Sequence, residues 1–127
     1  MSKAMRVIKI LPILAFFVAS GCDDMKFIKI AADENNPPTF KMSGSPVNDL
    51  WVYDEKGRIV WEIHREGQHD PIAATTYGQL PMGFKETVHP EQLVEGQTYV
   101  VKAGVANGHV VPGELRFTVS KPSLAAQ

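Results

Sequence analysis

The chain has 127 residues with 13 Lys and Arg against 14 Asp and Glu, four His and one Cys. That length suits one ordinary domain. The near-neutral balance shows no basic stripe for nucleic acid, and a lone Cys excludes an internal disulfide framework.

The first element reads as an export signal. Lys3, Arg6 and Lys9 precede the apolar stretch Ile10 to Ala19, and small residues come after it. Positive, apolar and small segments in that order are the layout of a secretory leader. Ten apolar residues fall short of the roughly 20 that cross a bilayer. Ala19-Ser20-Gly21-Cys22 resembles the lipobox of bacterial lipoprotein precursors. That resemblance implies a diacylglycerol on the Cys22 thiol, cleavage before Cys22 and acylation of the new amino group. The family most often has Leu where this chain has Ala19. Ala19-x-Gly21 also fits an ordinary signal peptidase site, which cuts the same bond and leaves a free thiol. Lipidation accounts for an odd Cys in an oxidising compartment. Asp23 and Asp24 come next; in enterobacterial lipoproteins an acid there resembles the signal for retention in the inner membrane, which favours inner over outer.

Residues 1–21 therefore read as signal peptide, 22–36 as a lipidated tether with a possible first strand at Phe27–Ile30, 37–120 as the folded domain and 121–127 as a tail. Cleavage leaves 106 residues with ten basic against 14 acidic side chains, a net of −4. An acidic domain is expected to stand off anionic lipid on its stem.

From Thr39 onward the pattern is β. Thr39–Met42 alternates, and Leu50–Asp54 with Arg58–His64 reads as a hairpin turned by Asp54-Glu55-Lys56-Gly57. A three-residue loop there pairs Trp51 with Trp61. It puts Trp51, Tyr53, Ile59, Trp61 and Ile63 on a core face, with Val52, Val60 and Glu62 on a wet one. Further strands are expected at Ile72–Tyr77, Phe84–Val88, Thr98–Ala106 and Gly113–Val119, with Asn107-Gly108 as a turn. Short strands with turn signals every ten or so residues indicate an all-β sandwich. Leu93-Val94-Glu95-Gly96-Gln97-Thr98-Tyr99 resembles the tyrosine corner of fibronectin type III and immunoglobulin-like sandwiches, which implies a Tyr99 hydroxyl bonded to the backbone just upstream. Those domains usually have a core Trp where this chain offers Phe40.

Chemistry is sparse. His64-Arg65-Glu66-Gly67-Gln68-His69-Asp70 is the one dense polar cluster; His64, His69 and Asp70 are candidate metal ligands, without the spacing that fixes a site. Ser43, Ser45 and Ser120 lack a nucleophile context, and no phosphate loop or cofactor motif is present, so no enzyme and no cofactor are expected. Tyr77-Gly78-Gln79-Leu80-Pro81-Met82-Gly83-Phe84 carries large apolar groups in a connection. Tyr77, Leu80, Met82 and Phe84 are candidate anchors for a partner, with plugging of the core as the plain alternative. The expected function is a lipid-anchored periplasmic lipoprotein whose sandwich binds another envelope protein. Binding of a small ligand or metal by the His64–Asp70 loop, or inhibition of a wall-degrading enzyme as an immunity protein, are the alternatives.

Overall fold

Period-two alternation along the long strands gives each sheet one apolar face, and burying those faces against each other builds the molecule. The computed structural model describes residues 26–106 and 109–121. Ten strands occur in it: β1 (Lys26–Phe27), β2 (Lys29–Ala32), β3 (Thr39–Ser43), β4 (Asp49–Tyr53), β5 (Ile59–Arg65), β6 (Ala74–Thr76), β7 (Phe84–Val88), β8 (Thr98–Gly104), β9 (Val110–Val111) and β10 (Gly113–Thr118). An antiparallel five-stranded sheet of order β10-β8-β4-β5-β7 and a three-stranded sheet of order β2-β3-β6 form an immunoglobulin-like, fibronectin type III-like sandwich, with β1 and β9 as a short parallel pair.

Phe40, Met42 and Ile28 meet Leu50, Val52, Trp61, Ile63, Tyr99, Val101 and Ala103 in the core. Phe40 is fully buried and meets Phe117 edge-on at 5.2 Å between ring centroids, so it serves as the core aromatic of its sheet. Trp61 meets Tyr77 edge-on at 5.1 Å. Full burial of each large side chain contributes about 1.5–3 kcal/mol.

The hairpin turn forms as its residues dictate. The Asp54 amide donates to the Arg58 carbonyl at 2.9 Å, the Asp54 carboxylate accepts from the Lys56 and Arg58 amides, and Gly57 takes a φ of 83°. The expected pairing of Trp51 with Trp61 does not. Tyr53 lies opposite Ile59, but Val52 lies opposite Trp61 and Trp51 opposite Glu62, because a bulge intervenes. One extra residue on β5 makes Val60 and Trp61 both buried and inverts the parity of the β5 residues beyond it. Leu50, Val52, Trp61 and Ile63 therefore face the core. Trp51, Tyr53 and Ile59, expected inside, are only half-buried, and Val52 and Val60, expected outside, are buried.

Two boundaries also move. The strand expected at Ile72–Tyr77 shortens to β6, with Ile72 held in an isolated bridge to Val47. Residues 26–32, read as tether and possible first strand, are strands joined to β9 and β3, so the folded unit starts well before residue 37. Asn107-Gly108 and the tail from 122 lie outside the described residues.

Candidate functional site

The parity change places a polar and aromatic cluster on the outer face of the five-stranded sheet. His64, at the end of β5, lies opposite Asp49 of β4. Its Nδ1 is 2.7 Å from Asp49 Oδ1 and its Nε2 is 2.8 Å from Glu62 Oε2. The imidazole ring also meets the Trp51 ring edge-on at 5.7 Å. Burial disfavours the charged imidazole, but the hydrogen bonds and charges of Glu62 and Asp49 outweigh it and raise the His64 pKa. The same contact with His64, followed by the Thr87 hydroxyl, lowers the Glu62 pKa. With both ring nitrogens engaged and the side chain 24% exposed, His64 ties β4 to β5 across the outer face.

Further along the same face, an open groove of about 370 Å³ runs between the hairpin turn and strands β8 and β10. Tyr53, Thr98, Val100, Lys102, Glu114 and Arg116 line it. Lys102 Nζ sits 5.0 Å from the Tyr53 ring centre and 3.7 Å from Glu114. An aromatic ring under a cation, rimmed by further charges, is chemistry suited to a polar and aromatic partner surface. Arg58 closes the turn by pairing with Asp54 and Glu91, which raises its pKa and lowers that of Glu91.

The sequence candidates separate. Within the His64–Asp70 segment, His64 belongs to the sheet face, whereas His69 and Asp70 lie in the exposed loop beyond it, His69 against Gly83. Among the described residues no group of three or more His, Cys, Asp and Glu side chains is placed to hold a metal ion. In the 77–84 connection, Tyr77 and Phe84 are core residues, so the plain alternative holds for them. The Tyr77 hydroxyl donates to the Glu91 carbonyl at 2.6 Å, and burial raises its pKa far above the usual value. Leu80 and Met82 remain outside, Met82 being 92% exposed. The tyrosine corner forms: Tyr99 is buried and its hydroxyl accepts from the Val94 amide at 3.0 Å, with Leu93 buried beside it. Cys22, Asp23 and Asp24 lie outside the described residues.

Sequence reasoning missed the Asp49–His64–Glu62–Trp51 cluster and the Tyr53–Lys102 pair. Both are cross-strand arrangements set by register, and the residues are far apart or alternate along the chain. The one signal in the chain was the Asp49-x-Trp51-x-Tyr53 alternation, which marks a single face without saying which. No protein-family model, curated protein or solved structure matches the chain.

Proposed function

We propose that the chain is a lipoprotein of the bacterial envelope, anchored through Cys22, whose sandwich is a non-catalytic module for binding another envelope protein. The observation that carries the anchor is the run from Lys3 to Cys22: three cations, ten apolar residues, a small-residue cleavage pattern and the only Cys of the chain. Two or three acyl chains on one residue hold a protein to a bilayer durably, where one holds it marginally. Asp23 and Asp24 favour the inner membrane. Both His64 nitrogens are engaged by carboxylates of its own sheet, so His64 is not offered as a reacting group. The groove beside Tyr53 and Lys102 is the surface best suited to the partner.

Metabolic labelling with palmitate tests the anchor. Wild type incorporates label and Cys22→Ser does not; equal labelling of the two, or none in wild type, removes the proposal. The binding surface is tested in cells with a photocrosslinker at position 116, in the groove, and at position 41, on the opposite sheet. A discrete adduct from 116 alone is expected, and identical patterns from both positions count against this surface.

A further inference from the structure

The place where the chain enters the sandwich is fixed. Lys26 donates its amide to the His109 carbonyl and Ile28 donates to Val111. Two glycines close on the same stretch: a Cβ on Gly44 would lie 2.0 Å from the Phe27 carbonyl oxygen, and one on Gly113 would lie 2.7 Å from that of Ile28. Only residues without a side chain let these backbones approach so closely. The entry point shares one end of the sandwich with the loops around Gly44, Gly67 and Gly83, since Asp49, Gly104, His64 and Lys85 line up across the sheet there. The hairpin turn at Asp54–Gly57 and the loops at Asp33 and Glu95 lie at the opposite end, about 20 Å away along the strands.

Only residues 23–25 separate Cys22 from Lys26, a span of at most about 14 Å even fully extended. Resting on the proposed lipidation of Cys22, we propose that this entry end faces the lipid headgroups directly, with the Met82 tip at the bilayer surface and the hairpin turn pointing away from it. A short tether alone also permits the domain to lie on its side; the exposed apolar groups at the entry end favour the end-on pose. Lys26, Lys29, Arg65 and Lys85 stand at the entry end against Asp49, Glu66 and Asp70, with Asp23 and Asp24 just before them in the chain. Asp33, Glu34, Asp54, Glu55, Glu91 and Glu95 gather toward the other, where Lys56, Arg58, Arg116 and Lys121 oppose them. Charge therefore differs little between the two ends, and an anionic leaflet does not choose between them on charge alone. The exposed Met82 and the half-exposed Phe27 add apolar groups to the entry end, where headgroups can receive them.

The test uses the full-length lipidated protein in vesicles of phosphatidylethanolamine and phosphatidylglycerol containing a headgroup nitroxide lipid. A fluorophore is attached through Met82→Cys or, separately, Lys56→Cys; acylation blocks the Cys22 thiol. Several-fold stronger quenching at position 82 than at 56 is expected. A spacer of about ten Gly and Ser residues after Asp24, adding roughly 17 Å of mean reach, should shrink that difference while the protein still floats with the vesicles. Equal quenching at both positions in protein that floats overturns the orientation and leaves the anchor intact. Failure of wild type to float, with Cys22→Ser behaving identically, overturns the anchor and the orientation with it.

Discussion

Trp51 and Trp61 stand on neighbouring strands of one hairpin and have opposite fates. Trp61 is fully buried, meets Tyr77 and donates its indole N–H to Glu86 at 2.8 Å, which also lowers the Glu86 pKa. Trp51 lies half-buried on the outer face, against His64 and over Gly104. The same residue type is a structural pillar on one face and part of an exposed polar cluster on the other. What separates them is the bulge, so the two faces differ in energetic weight more than in composition.

The largest expected effect is on the inner face. Trp61→Ala should cost about 3–5 kcal/mol, the range for deleting a buried aromatic. Trp51→Ala should cost about 1–2 kcal/mol, since much of its surface is already wet. Urea unfolding of both variants measures the gap, and similar losses would mean that the bulge does not divide the faces. Next comes the polar handle of an inner-face residue: Tyr99→Phe leaves the Val94 amide without its acceptor and should lower stability by about 1 kcal/mol. A change indistinguishable from zero would mean that water or Gln97 replaces the bond.

The smallest effect sharpens the outer face. His64 has a raised pKa in the folded state, so its contribution is fully present below its ordinary value of 6.5 and fades as pH rises through the folded value. Glu62 has a lowered pKa, so its contribution is present above its ordinary 4.5 and fades as pH falls through the folded value. The pair is therefore strongest between those two ordinary values. Thermal melts of wild type and His64→Gln should converge as pH is raised from about 6 to about 9, with differences of a few tenths of a kcal/mol at this partly exposed site. A gap that widens with pH would show that His64 acts as a neutral ring.

Much of the fold was legible. Asp54 and Gly57 define a turn with one chemistry, and the spacing from Leu93 to Tyr99 leads to a buried tyrosine bonded to the preceding backbone. The outer-face cluster was not legible, because β alternation states that Trp51 and Tyr53 share a face but is symmetric between the two faces. With a Trp on each strand, apolar content could not break that symmetry. The 77–84 connection shows a related ambiguity: four large residues look alike in the chain, and only packing sends Tyr77 and Phe84 inward while Leu80 and Met82 stay out.

By itself the sequence determined the all-β class, the hairpin turn and the corner, because each arises from local backbone preferences and short-range spacing. It also carries the run from Lys3 to Cys22, on which the proposed leader and anchor rest, as a linear pattern that needs no fold to be read. Only the tertiary structure decided which tryptophan is core, that residues 26–32 are strands instead of tether, and which charges gather at which end. Those outcomes depend on register and on close approaches such as Gly44 to Phe27 and Gly113 to Ile28, which join positions distant in the chain.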